Sequence, residues 1–167
     1  MVNQMIRIPK ECVLWLDLTE DTGDIVYDHS GNGNNGKVYG AVLERRLPFI
    51  GRKFDGEDDY IEVPDSPSLD ITDEITIMAW VKPNDLTDIG VIVCKGDQYT
   101  SSNNHYMFGL TADEIPYLYF GNPTNASVNA GVAVAVNKWS HIAVTRATDD
   151  TVNFFINGAL VKTGSLG

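Results

Sequence analysis

Nine acidic residues, and no lysine or arginine, lie between Phe54 and Val81. Carboxylates at that density repel one another, and a hard divalent cation with oxygen ligands would relieve the repulsion. Calcium is therefore one chemistry to look for, with Asp28, in the turn Asp28-His29-Ser30-Gly31, and Asp58 as its metal ligands. The plainer reading is that each aspartate caps its own turn and the stretch is a solvated acidic face. Just beyond Asp28, Gly31-Asn32-Gly33-Asn34-Asn35-Gly36-Lys37 satisfies G-x-G-x-x-G. It also nearly satisfies the phosphate loop, with Val38 where a magnesium-holding hydroxyl belongs. Both motifs need a helix next in the chain, its first amides facing phosphate. The residues in that place, Lys37–Leu43 (KVYGAVL), read as strand, so the run is a turn. His29, His105 and His141 fall in separate segments, and no Gly-x-Ser-x-Gly elbow supplies a nucleophile. Cys12 and Cys94 lack partners at zinc spacing and permit one disulfide at most, which stays open.

Whatever chemistry exists must be positioned by strands. The 167 residues carry a net charge of −11 and are 43% hydrophobic, which describes a globular chain of about one domain. Aspartate dominates the acid, 16 Asp against 7 Glu, and comes with 13 Asn and 15 Gly, the residues of tight turns. The negative balance argues against reading a nucleic-acid backbone and against docking on anionic membranes. Ala130–Val136, the longest apolar run, is far too short to span a bilayer. Residues 1–10 form an N-terminal arm without the apolar segment of a signal peptide, and residues 11–167 read as one domain.

Helical periodicity is nearly absent. Alternation begins in Glu11–Leu18 and, after a polar turn region from Thr19 to Gly36, returns in Lys37–Leu43, Arg52–Phe54, Asp59–Val63 and Glu74–Lys82. Gly90–Lys95, His105–Thr111, Pro116–Gly121 and Ala126–Val136 come next. Trp139–Thr148, Thr151–Ile156 and Ala159–Lys162 complete the set. Asp149-Asp150 and Asn157-Gly158 link the last three as a meander, the second through a type I′ turn. A dozen short strands at such spacing predict an antiparallel sandwich.

Five segments taken together resemble a known family. They are Asp28-His29-Ser30-Gly31-Asn32, Phe54–Pro64 (FDGEDDYIEVP), Ile75–Pro83 (ITIMAWVKP), Trp139–Thr145 (WSHIAVT) and Phe154–Gly158 (FFING). In this order and spacing they are similar to the laminin-G-like jelly roll of the concanavalin A-like lectin and glucanase superfamily, from about Leu14 to Val161. The resemblance implies an all-β fold, a two-sheet antiparallel jelly-roll sandwich. Ile75, Ile77, Ala79 and Val81 then point inward, and Trp15, Trp80 and Trp139 are expected to anchor the core.

The same resemblance implies a non-catalytic recognition or adhesion module that binds a glycan or a protein through loops. The loops at one end, Asp97–Asn104 and Asn122–Asn129, are polar, and Tyr99, Tyr106 and Tyr117 would offer aromatic faces. Pentraxins, related to this family, place an Asp-Asn pair before one strand to bind calcium and ligand. Asn103-Asn104 stands in a comparable spot before His105–Thr111. Ligand binding is accordingly expected at Tyr99, Asn103, Asn104 and Tyr106. Glu57-x-Asp59-x-x-Glu62 resembles the carboxylates of retaining β-glucanases, but in a regular strand Glu57 and Glu62 face opposite ways. The family's usual closing strand, Gly-x-Ile-Asp-Glu-Val, has no counterpart before Gly167, and an open edge is a template for self-assembly. The resemblance also implies an extracellular, cell-surface or virion setting, with a structural or attachment subunit and a degenerate glycosidase as the alternative roles.

Overall fold

The computed structural model describes residues 8–21, 23–46, 48–84, 86–96, 106–121 and 126–166. The chain divides into two compact units, Met1–Leu69 and Asp70–Gly167.

The first unit is built on short strands because turn residues interrupt it every few positions. β1 (Ile25–Val26), β2 (Gly36–Tyr39) and β5 (Tyr60–Glu62) make one antiparallel sheet in the order β1-β2-β5, while β3 (Val42–Arg46) and β4 (Phe49–Lys53) form a hairpin. The single strand expected over Lys37–Leu43 is two strands, broken at Gly40, where φ is +75°. A Cβ at Gly40 would collide with the Asp59 carboxylate, so only glycine makes this corner. Glu11–Leu18 forms no ladder among the described residues; it contributes one bridge, Leu16 to Asp28. Its alternation is nonetheless meaningful, since Leu16 and Leu18 pack on a small core of Val26, Val38 and Ala41. β1 lies inside the region that read as turn throughout.

The second unit is a sandwich of two four-stranded antiparallel sheets. β7 (Gly90–Lys95), β8 (Tyr106–Leu110), β9 (Pro116–Phe120) and β10 (Ala126–Asn129) run in the order β10-β9-β8-β7. β6 (Ile75–Val81), β11 (Ser140–Arg146), β12 (Thr151–Ile156) and β13 (Ala159–Ser165) run β13-β12-β11-β6. One core joins them: Phe108, Leu110 and Leu118 from the first sheet meet Ile142, Val144, Val152 and Phe154 from the second. The all-β antiparallel architecture read from the sequence is the one observed.

β6 alternates as expected. Ile75 is buried, and Ile77 and Val81 pack against the core, while Thr76, Met78 and Trp80 face out. The role expected of Trp80 is therefore corrected: it sits on the even face, 56% exposed, in edge contact with His141. Phe108 and Phe154, both at 0% exposure, fill the place that Trp80 was to occupy. The meander is as read, with Asn157 and Gly158 at φ of 51° and 80°, the paired positive values of a type I′ turn. β10 stops at Asn129, seven residues short of the apolar run's end, because Gly131 turns the chain at φ 66°. Arg146 ties the meander to the segment before β6, donating to the Asp150 carboxylate and to the Thr72 and Asp73 carbonyls, its guanidinium lying over the Phe120 ring.

Candidate functional site

The pleat of β8, β9 and β10 sends alternate side chains away from the core. In β9 (PYLYF), Leu118 and Phe120 face the core, so Tyr117 and Tyr119 face out. Their register partners are Gly109 and Met107 on β8 and Asn129 and Ser127 on β10. Together with Ile89, Thr111 and Val128, the side chains of this face line a cavity of about 330 Å³.

Tyr117 is the unusual member. It is only 8% exposed, yet its hydroxyl has no hydrogen-bond partner among the described residues. A buried unpaired hydroxyl costs about 1–3 kcal/mol. Burial, with a smaller contribution from Cys94, pushes the phenol's pKa up, so it stays protonated and can both donate and accept. Gly109 makes this placement possible. A Cβ there would meet the Gly90 carbonyl oxygen at 2.6 Å, the Tyr117 ring at 3.0 Å and its hydroxyl at 3.1 Å. Gly109→Ala is expected to push β7 from β8 and displace the ring, costing about 1–3 kcal/mol in a thermal or urea melt.

The remaining polar groups on this face are neutral. Asn129 accepts from the Gly131 N–H at 3.0 Å through its carbonyl, which leaves its NH₂ directed elsewhere. The Thr111 oxygen accepts from the Asp113 and Ile115 amides at 3.3 and 3.2 Å, which leaves its proton to donate. The Ser127 side chain is exposed.

Other residues singled out in the sequence are scattered. Tyr106 is corrected as a displayed aromatic: it lies on the core side of β8, 5% exposed and stacked near Phe120. Tyr99, Asn103 and Asn104, with His105, lie outside the described residues. Asp28 is an organising acceptor. Its carboxylate takes the Trp15 and Ser30 amides at 3.0 and 2.8 Å on one oxygen, and the Ser30 hydroxyl and Asn34 amide at 2.8 and 3.0 Å on the other. Four donors leave it little capacity for a cation. Asp58 belongs to an exposed group with Asp55 and Asp59, whose oxygens come within 4.8 Å of one another. In that group Asp55 and Asp59 already accept backbone amides, as Asx turns do.

The three carboxylates that resemble a glucanase motif do not converge. Glu57 is exposed in the turn, Asp59 accepts the Asp55 amide, and Glu62 lies on β5 opposite Lys37 and accepts the Tyr39 hydroxyl at 3.2 Å. Neither cysteine is in a disulfide. The Gly31–Lys37 run is a turn wrapped around Asp28, entering β2 and no helix, with Asn34 buried and bonded to the Val13 carbonyl and the Ser68 hydroxyl. No described helix is long and apolar enough to cross a membrane.

The second unit is thus a sandwich of two antiparallel sheets with a neutral, aromatic-lined trough on one outer face. The chain belongs to the concanavalin A-like lectin/glucanases superfamily, whose laminin-G-type model matches residues 55–167. Among solved structures it is similar to the binding domain of paraclostridial mosquitocidal protein 1 (18% identity, TM-score 0.71). That match covers 92% of this chain and 40% of the other. It is also similar to the binding domain of botulinum neurotoxin DC in complex with rat synaptotagmin II, with 18% identity, TM-score 0.67, and 92% and 39% covered. A third is domain 4 of AbnA, an extracellular arabinanase from Geobacillus stearothermophilus in complex with arabinotriose, with 18% identity, TM-score 0.57, and 83% and 68% covered. The chain thus spans about 40% of the length of the toxin binding domains. At these identities the similarity is one of fold. No curated protein matches the chain in sequence.

Proposed function

We propose that this chain is a non-catalytic recognition module that holds a glycan in the trough on the outer face of β8, β9 and β10. The observation that carries the reading is the lining of the trough, where two tyrosines lie beside a threonine, a serine and an asparagine and no charged side chain is present among the described residues. The arabinanase domain of the same fold, solved with a trisaccharide, supports the choice of a sugar. An extracellular or cell-surface setting fits, because glycans are displayed there.

No carboxylate lines the trough among the described residues, so the sugar is taken to bind the side chains directly and not through a calcium bridge. Binding is accordingly expected to survive chelation. The Asp59 and Glu62 carboxylates are each engaged, by the Asp55 amide and the Tyr39 hydroxyl, which favours recognition over hydrolysis.

The test is a glycan array followed by isothermal titration of the sugars retained, with and without EDTA. Tyr119→Ala should weaken binding at least about tenfold, because an aromatic stacking face is lost. Retention of no glycan, or glycan binding untouched by Tyr119→Ala and Ser127→Ala together, would overturn the reading.

A further inference from the structure

Resting on the glycan reading, we infer that the trough selects uncharged saccharides and rejects acidic ones, with the exposed Ser127 hydroxyl and Asn129 NH₂ as specificity-determining contacts. Of the 167 residues, 12 are basic and 23 acidic, yet none of the described residues lining the cavity carries a charge. That matters because a carboxylate or sulfate entering the trough gives up its hydration. Among the described residues no guanidinium or ammonium lines the cavity to repay the loss.

The surroundings add to the bias. Exposed Asp88 and Asp113 lie beside the lining residues Ile89 and Thr111 along the chain. The net charge of −11 extends the same repulsion outward.

What the trough does offer suits neutral hydroxyls. A sugar hydroxyl both donates and accepts, and so does the exposed Ser127 hydroxyl, while the Asn129 NH₂ donates. The Met107 thioether and the tyrosine rings give the apolar surface on which the C–H face of a pyranose or furanose packs. A volume of about 330 Å³ is at the small end for ligand sites and suits a short saccharide.

The experiment uses matched pairs on one array: lactose against α2,3-sialyllactose, and neutral xylo- and gluco-oligosaccharides against their glucuronylated forms, with titration of the pairs that bind. The neutral member is expected to bind at least about tenfold tighter. Ser127→Ala should weaken it about five- to tenfold while leaving the melting temperature unchanged. A purely structural role for the hydroxyl would instead lower the melting temperature and spare affinity. Asn129→Arg, which introduces the missing cation, should narrow or reverse the preference. Acidic members that bind equally or better than their neutral partners, in a manner sensitive to Tyr119→Ala, would overturn the selectivity and leave the glycan reading standing. Absence of binding to every member of the array would overturn the glycan reading, and the selectivity with it.

Discussion

Asp28→Ala is expected to unfold the first unit while the second keeps its structure. The carboxylate takes four donors from three residues, and with them it fastens the Gly31–Gly36 turn to the segment at Trp15. Its own amide donates to the Asn35 side chain at 2.9 Å, so the turn is closed from both directions. Hydrogen bonds to a charged acceptor are worth about 1.5–3 kcal/mol each before losses to solvent and relaxation, so about 3–5 kcal/mol in total is at stake. The unit's core is small, Val26, Val38 and Ala41 with three partners, and has little to spare. Asp28→Asn should fall between, because the amide keeps one accepting oxygen and presents NH₂ where two donors arrive.

The same residue gives an acid limb. Burial alone would raise its pKa, but the hydrogen bonds from Trp15, Ser30 and Asn34 outweigh it and hold the carboxyl below its usual 3.8. A lowered folded value means the stabilisation is complete above the unfolded value, near pH 4, and disappears as pH falls through the folded one. Amide protection at Ser30 and Asn34, measured against the intrinsic exchange rate at each pH from 6 to 2, should be lost before protection in β11 and β12. Simultaneous loss in both places, or no change in Asp28→Ala, would show that the turn is held by something else.

Phe154→Ala carries the other large effect. The side chain is fully buried between the sheets, against residues of the same core drawn from both. Its removal leaves a cavity that a sandwich cannot close from one side, with an expected cost of about 3–5 kcal/mol. Trp80→Ala deletes a larger ring, yet should cost less than about 1 kcal/mol because more than half of that residue already meets solvent. Urea melts of the two variants decide the matter. Equal losses would mean that the Trp80 ring bears on the core after all.

Strand type and meander connectivity were legible wherever alternation met a turn of known chemistry. Thr151–Ile156, Asn157-Gly158 and the start of β13 are the clearest instance, since two adjacent positive φ values suit Asn-Gly and few other pairs. Glu11–Leu18 shows the limit. Alternating apolar residues report a buried face, and Leu16 and Leu18 have one, but hydrogen-bond partners depend on what lies alongside. Trp80 misled for a related reason: residue size suggested a core anchor, whereas its even position between inward-facing neighbours already assigned it to the other face.

The candidate site was less readable still. Tyr117 stood out as an aromatic face, but what distinguishes it is a buried hydroxyl, unpaired among the described residues, on a ring that a glycine of the neighbouring strand makes room for. Cross-strand neighbours such as Gly109 and Asn129 are twenty residues apart in the chain and are brought to either side of Tyr117 only through register. Alternation within Pro116–Phe120 could have put Tyr119 beside Tyr117, since both occupy odd positions.

Cys94 is the cross-strand neighbour of Met107 and sits exposed on the edge strand of that sheet. A thiol one strand away from the trough is a ready attachment point for an environment-sensitive dye, with Cys12→Ser removing the competing label. Saccharide arrival could then be followed optically in solution, without modifying the sugar or any residue that lines the trough.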